Sequence, residues 1–365
     1  TAMSASQISG MTTKQVIKLD SFHTIAIDTA DISSLKTNQI KALTTRGLYN
    51  LSTNQISAMS ASQFEAMKTK QIKNLNSSQI AAMETDDIAG MTTKQIKTLS
   101  SIQIKALSTA QLSAINTKQI ISIDTSDISL GLTSTTSIAA FTASQIGALA
   151  TKQLRIFSSA QLKAIETNDI TSLTTRQIVS LNTASLLQGL STEQINVMST
   201  DQLSALKTKQ YVVLTSAQLA AFNTKSINTL TTRQISAMGS NQFLGLSVET
   251  LNQIKAFNTL QIKALSTDNI LLGINTFQFS AFTTDQLPAF KTKQLINLTS
   301  AQIAAFDTNE FSSLTTRQVA ALDSEQLALG INTDAIINLS TSQIKAISTK
   351  AISALTSGQL QGMTT

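Results

Sequence analysis

Residues 92–123 read TTKQIKTL, SSIQIKAL, STAQLSAI and NTKQIISI, four consecutive eight-residue repeats in one register. Gln95, Gln103, Gln111 and Gln119 share the fourth position, and each repeat closes on Leu or Ile. The same pattern, [S/T/N/D]-T-x-Q-[I/L]-x-[A/S]-[L/I/M/F], runs through nearly all of the 365-residue chain. Such strict repetition is typical of a solenoid and not of a globular enzyme.

Each octad carries the signals that begin a helix. In the repeat that starts at Ser108, the Ser is a good N-cap, and Gln111 can reach back to the cap amide in a capping box. Leu107 before the cap and Leu112 after it are placed as a hydrophobic staple. Asn116 is a poor residue inside a helix but a good cap, so it restarts the pattern. The octad therefore predicts a helix of about one and a half turns.

Two other folds compete with this interpretation. A continuous helix is excluded, because each octad would rotate its apolar pair by about 80° and spread it around the whole surface. A β-solenoid is the open alternative, since parallel coils also suit short repeats. The recurrent Gln, Ala, Leu and Lys favour helices, and only 12 glycines are present. We predict an all-α solenoid of short helices.

A longer period indicates how the repeats wind. The TTR repeats place Arg176, Arg233 and Arg317 at steps of about 57 and about 84 residues, with Arg46 as a fourth such arginine. Repeats of nine residues place glycines at steps of about 58, about 84 and about 57 residues, at Gly131, Gly189, Gly273 and Gly330. These intervals are close to multiples of about 28 residues. One turn is therefore predicted to contain about three and a half octads.

The organisation is predicted to be one continuous solenoid over residues 1–365, since composition does not shift and no linker is visible. Residues 247–257, SVETLNQIKAF, form a repeat three residues too long and are predicted to be a local irregularity. Pro288, the one proline, stands at the sixth position of its repeat. Because proline removes a backbone donor, a local distortion of that helix is expected.

The two chain ends carry their own expectations. Thr1 is not an initiator Met, so the sequence is expected to be a processed chain or a segment of a longer protein. Neither end shows the polar capping repeat that keeps a solenoid soluble, which favours association through chain ends or lateral faces into a homo-oligomer or polymer. No apolar run is long enough for a membrane span. Cysteine is absent, so disulfides and thiolate metal sites are excluded.

The net charge of +6 raises the question of an anionic partner. Lysines occupy mainly the third and sixth positions of the octad, which face outwards on the predicted helix and are typical of a solvated surface. The sparse charged and aromatic residues argue against nucleic acid as a partner. Cell-surface polysaccharide is compatible with this charge. The lysines concerned are Lys14, Lys70, Lys94, Lys118 and Lys209 at the third position, and Lys41, Lys73, Lys105 and Lys263 at the sixth.

No catalytic, cofactor-binding or metal-binding residue is predicted. His23 replaces the usual Gln and is interpreted as a substitute cap partner. Acids replace the Gln of other repeats and are interpreted as helix N-terminal acids favoured by the dipole, not as a metal ladder. No phosphate loop or Ser/His/Asp set is present. We therefore expect no enzyme activity and no cofactor. The acids are Asp31, Asp87, Asp127, Asp169 and Glu310.

The octads TTKQIKTL, STAQLSAI and TSAQIAAF invite a comparison. They resemble the TxQIxAL-type repeats of very large secreted or surface proteins of Gram-negative bacteria, often labelled adhesion or haem-utilisation proteins. The resemblance covers essentially the whole chain in repeat style. It implies an extracellular role of the adhesin, surface-layer or fibre type. The haem label transfers no residues, because the chain lacks the required ligands.

Together these observations predict an extracellular structural protein of the bacterial cell surface. It would self-associate into a fibre, sheath or surface layer, or form an adhesin stalk. The alternative is a solenoid that binds a ligand such as glycan, ice or nucleic acid. A ligand surface should concentrate particular residues on one stripe, whereas a lattice protein should spread weak contacts along its length.

Overall fold

The structure is a computed structural model that describes residues 4–246 and 251–363. The chain divides into two compact parts, Thr1–Gly189 and Leu190–Thr365, called here the N-terminal and the C-terminal half. Over the described residues, 42 α-helices and two 3₁₀-helices occur and no strand, so each repeat contributes one short helical segment. The all-α prediction is confirmed, and the β-solenoid alternative is wrong. The prediction of one continuous array over 1–365 stays a prediction.

In the N-terminal half, the helices are α1 (Ala5–Gly10), α2 (Thr13–Val16), α3 (Ser21–Ile25), α4 (Thr29–Ile32), α5 (Thr37–Ala42), α6 (Thr45–Tyr49), α7 (Thr53–Ser57), α8 (Ala61–Ala66), α9 (Thr69–Lys73), α10 (Ser77–Ala81), α11 (Thr85–Gly90), α12 (Thr93–Ile96), α13 (Ser101–Lys105), α14 (Thr109–Ala114), α15 (Thr117–Ser122), α16 (Thr125–Gly131), α17 (Thr135–Ala139), α18 (Ala143–Ala148), α19 (Thr151–Arg155), α20 (Ser159–Lys163), the 3₁₀-helix Asp169–Ser172, α21 (Thr175–Ser180) and α22 (Thr183–Gly189).

In the C-terminal half, they are α23 (Thr192–Val197), α24 (Thr200–Ser204), α25 (Thr208–Tyr211), α26 (Ser216–Ala220), α27 (Thr224–Asn228), α28 (Thr232–Ala237), α29 (Ser240–Leu244), α30 (Leu251–Lys255), α31 (Thr259–Ala264), α32 (Thr267–Gly273), α33 (Thr276–Phe279), the 3₁₀-helix Leu287–Ala289, α34 (Thr292–Leu295), α35 (Ser300–Ile303), α36 (Thr308–Ser312), α37 (Thr316–Val319), α38 (Ser324–Gly330), α39 (Thr333–Ile337), α40 (Thr341–Ala346), α41 (Thr349–Ile352) and α42 (Ser357–Gly362).

The capping box predicted for the octad begins most of these helices. At α14 the backbone N–H of Ser108 donates to Gln111 Oε1 at 2.8 Å, and the N–H of Gln111 donates to Ser108 Oγ at 3.2 Å. The two bonds satisfy amide groups that a helix start otherwise leaves unpaired. Where Lys or Ala replaces the first-position hydroxyl, as at Lys68 and Ala150, the Gln half of the box remains.

Three positions of the octad are buried. The fifth and eighth residues form the apolar core, as Leu112 and Ile115 do with 1% and 2% of their surface exposed. The fourth-position Gln is buried with them, as at Gln111 and Gln119, which sequence reasoning did not foresee. A buried primary amide needs partners for its two donors and its acceptor.

Those partners lie one turn back. Gln119 Nε2 donates to the carbonyl oxygens of Met91 at 2.6 Å and Ile88 at 3.0 Å, which are 28 and 31 residues earlier and four repeats back. Helices, by contrast, stack on the helix three repeats away, as α9 does on α12 and α12 on α15. A turn thus falls between three and four repeats, which is about three and a half octads or about 28 residues. The predicted length of one turn is confirmed.

The same bond recurs through both halves and is called here the Gln ladder. Each Gln of the ladder donates through Nε2 to the carbonyl of the last residue in the repeat four before its own. In the N-terminal half its members are Gln39, Gln55, Gln63, Gln71, Gln79, Gln95, Gln103, Gln111, Gln119, Gln145, Gln153, Gln161 and Gln177. In the C-terminal half they are Gln218, Gln234, Gln242, Gln253, Gln261, Gln278, Gln286, Gln294, Gln302, Gln318, Gln326, Gln343 and Gln359.

Longer repeats do not break the ladder. Residues 124–132 and 133–141 are two nine-residue repeats, and Gln153 beyond them bonds to Ile123 across 30 residues, whereas Gln119 spans 28 residues. In the long repeat 247–257, residues 247–250 lie outside the described residues. Its helix α30 is regular, and Gln253 bonds to Phe222 across 31 residues. The register is therefore counted in repeats, and extra residues are absorbed between ladder bonds.

The nine-residue repeats bring glycine to the contact between turns. A Cβ on Gly131 would lie 2.9 Å from the Ser101 carbonyl oxygen, and one on Gly330 would lie 2.9 Å from that of Ser300. Gly189 and Gly273 make similarly close approaches. The extra residue of these repeats therefore brings the end of the helix closer to the neighbouring turn. Glycine has no Cβ, so the two backbones can still stack at this distance.

Gly245 gives the strongest test of this packing. A Cβ at this position would overlap the carbonyl group of Ser216 on the turn below, so Gly245→Ala must push two turns apart. We expect a loss of about 1–3 kcal/mol, measured by urea unfolding. Gly10→Ala is the matched control, because no atom lies within 4 Å of that Cβ. Equal stability of the two variants would contradict the contact.

Pro288 distorts its repeat as predicted. Residues Leu287–Ala289 form a 3₁₀-helix with the proline in its first positions. Gln286 keeps both roles, since it accepts from the Thr283 N–H at 3.0 Å and donates to the Phe257 carbonyl at 2.7 Å. The distortion is local, because the ladder continues through it.

Candidate interaction surface

The Gln ladder determines which side chains face solvent. With the fourth and fifth residues turned inwards, the third residue of each repeat points outwards, and its Lys and Arg side chains are exposed. Helices α6, α9, α12 and α15 stack directly on one another. Each carries a base at that position: Arg46, Lys70, Lys94 and Lys118. We call the third-position bases on stacked turns the basic column.

The column continues beyond these four helices. In the N-terminal half, α19 packs on α21 and the pair carries Lys152 and Arg176. In the C-terminal half, α25 packs on α28 with Lys209 and Arg233, and α34 packs on α37 with Lys293 and Arg317. Lys14 on α2 and Lys350 on α41 extend the two sets. Lys225 on α27 is a third-position base outside the column.

The interval between members explains the alignment. Within each half, a member follows the previous one after three or four repeats, or after seven between Arg233 and Lys293. At three and a half repeats per turn, a step of three or four leaves the next base within about 50° of the one below. The bases therefore form a stripe and not a random scatter, and the stripe winds around the axis where three-repeat steps follow one another, as from Arg46 to Lys118.

Helix stability does not explain the stripe. A basic side chain at the third position of a repeat, such as Lys94 two residues after the N-cap Thr92, lies beside the positive end of its helix. In the part of the chain that the structure describes, the contact of His23 with the Asp20 carboxylate involves no base of the column, and no carboxylate lies within ion-pair distance of a column base. The column is therefore an exposed row of positive charge.

Exposed acids occupy a neighbouring face. Helices α8 and α11 stack and carry Glu65 and Asp86, and in the C-terminal half α36 and α39 stack with Asp307 and Asp334 at their starts. Glu166, Asp201 and Asp285, like Glu65 and Asp86, lie in the repeat directly before a repeat of the basic column. These acids and Asp28 are called here the acidic column, of whose helices the two named pairs are in stacking contact. Other acids lie off it, including Asp124, Asp268 and Glu325.

The acids at the Gln position are not brought together. In the described residues, no group of three or more His, Cys, Asp or Glu could hold a metal ion. Glu84 donates its N–H to Asp87 Oδ2 at 2.8 Å, and Asp307 donates its N–H to Glu310 Oε2 at 2.9 Å, so both acids complete a helix start. Asp31 and Asp127 lie in the first turn of helices whose caps make no side-chain bond, and Asp169 begins a 3₁₀-helix.

Burial opposes the ionisation of three of these acids. Burial raises the pKa of Asp87 to about 6, and it also raises the pKa of Asp169 and of Glu310. All three acids lie in the first turn of their helices, as interpreted from the sequence, but burial disfavours their charged form. An acid at this position keeps the capping acceptor of Gln but lacks the amide donor of the ladder.

Asp87 therefore makes the stability of the fold depend on pH. Its folded-state pKa lies above the unfolded value, so the folded state binds the proton more tightly and stability falls as pH rises from about 4 to 6. We expect Asp87→Gln to remove this fall and to raise the free energy of unfolding at pH 7 by about 1–3 kcal/mol. Urea unfolding between pH 4 and 7 measures both the pH dependence and the gain in the free energy of unfolding. A parallel pH profile in the variant would contradict the assignment.

His23 does partner the cap residue of its repeat. Its Nδ1 lies 2.6 Å from Asp20 Oδ1, and its backbone N–H donates to the same oxygen at 3.1 Å. The backbone bond holds the pKa of Asp20 below its usual value. The bond runs to the cap carboxylate and not to the cap amide, so His23 replaces only part of the role of Gln. The ring is exposed and meets no second metal ligand of the described residues.

Sequence reasoning placed the third-position bases outside but missed their alignment. The sequence does contain the signal for this alignment. Counted in repeats, the third-position bases recur every three or four repeats, and this interval corresponds to one turn of the solenoid. Intervals counted in residues obscure this recurrence, because the longer repeats change the spacing between bases. The turn had to be known before the column could be recognised.

Comparison with known families identifies the repeat. The ALTTAQ repeat model matches residues 25–61, 58–93, 80–117, 90–125, 187–216, 212–248, 279–316 and 330–365, well over half of the chain. The chain belongs to the ALTTAQ repeat family. The ladder Gln is the Q of this octad, so the family signature contains the inter-turn donor as well as the cap partner.

Other comparisons add little to the ALTTAQ assignment. Among curated proteins, none matches this sequence. Among solved structures, a leucine-rich repeat-containing protein, LegL7 from Legionella pneumophila, is similar over 61% of this chain and 78% of its own, with 12% identity and a TM-score of 0.19. A TM-score this low carries no argument. No helix in the described residues has the length and apolarity needed to cross a membrane.

Proposed function

We propose that this ALTTAQ repeat chain is an extracellular structural protein of the bacterial cell surface. It self-associates into a fibre, sheath or surface layer, or forms the stalk of an adhesin. The resemblance of its octads to repeats of large bacterial surface proteins supports this location.

The observation that carries the proposal is the Gln ladder. Each member ties its own helix start to the backbone of the turn below, so every such repeat supplies both a cap and an inter-turn bond. Such a bond contributes about 1 kcal/mol, and the contribution is repeated along the chain. Nearest-neighbour contacts of this kind suit a chain whose task is to hold length and spacing.

Electron microscopy of native material, purified without refolding and examined at several protein concentrations, tests self-association. We expect regular filaments or sheets. Protease treatment of intact cells, followed by immunoblotting, tests the location, and we expect the chain to be digested without lysis. Isolated molecules at every concentration would contradict the polymer and leave the stalk. Protection of the chain in intact cells would overturn the proposal.

One observation favours a second function. The basic column is an exposed stripe that could follow an anionic polysaccharide, one charge per turn, as a ligand-binding solenoid would. Of glycan, ice and nucleic acid, an acidic glycan fits this charge best. This binding is measured as retention of the protein on an immobilised acidic polysaccharide, with an immobilised neutral polysaccharide as the control.

A further inference from the structure

Acidic and basic residues are sorted by repeat. Outside 247–257, no repeat of the described chain contains both an acid and a Lys or Arg. At six places, a repeat of the acidic column is followed directly by a repeat of the basic column. The six pairs are Glu65 with Lys70, Asp86 with Lys94, Glu166 with Arg176, Asp201 with Lys209, Asp285 with Lys293 and Asp307 with Arg317.

This order places the two columns on neighbouring faces. Consecutive repeats are about 100° apart around a turn of three and a half repeats. The six acids and the six bases also have the same spacing along the chain, since each acid lies one repeat before its base. Successive turns can therefore keep the two columns in the same register.

We propose that the acidic column of one copy binds the basic column of a second copy. The inference rests on the proposed self-association and names its surface. Because the two columns lie on different faces of each half, each half can accept one neighbouring copy on its basic face and another on its acidic face. Such a contact is heterologous, so it produces a closed ring of copies or an open bundle, according to whether the rotation between neighbours closes.

Charge complementarity favours a second copy over a free polyanion. An acidic polysaccharide would explain the basic column and leave the acidic one without a partner. The six paired acids need a partner whose positive charges have the same spacing, and the six bases of a second copy have that spacing because each follows its acid by one repeat. Within one copy the columns do not neutralise each other, because no ion pair joins them in the described residues.

Charge reversal tests the contact. The basic-reversed variant changes six exposed bases to Glu: Lys70, Lys94, Arg176, Lys209, Lys293 and Arg317. The acid-reversed variant changes six acids to Lys: Glu65, Asp86, Glu166, Asp201, Asp285 and Asp307. A control variant changes six exposed bases off the column to Glu: Lys105, Lys163, Lys225, Lys255, Lys263 and Lys345.

Sedimentation velocity and electron microscopy between low and high salt give the readout, with circular dichroism to check folding. We expect the parent to assemble and to disperse as salt rises. Each reversed variant alone should need at least tenfold more protein to assemble, and the off-column control should assemble like the parent. An equimolar mixture of the two reversed variants should assemble again, because each supplies the charge that the other lacks.

The remaining outcomes separate this inference from the proposed function. A parent that assembles while both reversed variants also assemble overturns the contact and leaves the structural role intact. Loss confined to the basic-reversed variant, without rescue in the mixture, assigns the column to a polyanion and overturns the second copy as partner. A parent that stays monomeric at every salt concentration overturns both self-association and the contact.

Discussion

A double variant carrying Leu107→Asp and Ile115→Asp will unfold the turns around it. Both side chains belong to the eighth-position core and are 6% and 2% exposed. Each carboxylate would be buried without a partner, at a cost of several kcal/mol. Because repeats depend on nearest neighbours, we expect the loss to be local: faster hydrogen exchange over roughly one turn on either side, with distant turns protected.

A matched control uses the same substitution on the same turns. Ile102→Asp and Ile121→Asp replace isoleucines that are 70% and 46% exposed, so the new charges stay hydrated. We expect this variant to unfold within about 0.5 kcal/mol of the parent. If the two double variants are equally stable, the assignment of core and surface positions in the octad is incorrect.

Most of the fold could be predicted from local physics. The capping box at Ser108 and Gln111 involves residues three apart, so one octad contains all the information needed. The length of one turn could be read from the recurrence of Gly131, Gly189 and Gly273 along the chain. These glycines also mark where two backbones approach, although only the stacked turns show which carbonyl each one meets.

The second role of Gln could not be predicted from one octad. The amide donor of Gln119 bonds across 28 residues, and the partner is a backbone carbonyl that any residue would supply. No sequence pattern therefore marks the acceptor. The basic column was missed for a related reason, because its alignment appears only when charges are placed on a known turn. The expectation that the chain has no catalytic site stays a prediction.

Gln119→Glu separates the two roles of the ladder residue. The new carboxylate would keep the acceptor for the Asn116 N–H, which Gln119 bonds at 2.7 Å, but it would lose the donor to Met91 and Ile88. The Met91 carbonyl would lose its partner, the Ile88 carbonyl would keep only the long bond from the Met91 N–H at 3.3 Å, and a negative charge would face both. We expect a loss of about 2–4 kcal/mol at pH 7 in urea unfolding. Protonation of the new carboxylate restores a donor, so the loss should shrink as pH falls towards 4.

Gln15→Glu is the control that isolates the cap. Gln15 accepts from the Thr12 N–H at 2.8 Å, as Gln119 does from its own cap, but it is exposed and makes no bond to another turn of the described residues. We expect this substitution to change the free energy of unfolding by less than about 0.5 kcal/mol at any pH from 4 to 7. Asp87 supports the contrast, since it is an acid at a buried ladder position whose pKa is raised to about 6. If both variants lose the same stability, the octad keeps Gln for its cap alone, and the inter-turn donor contributes nothing to holding the solenoid together.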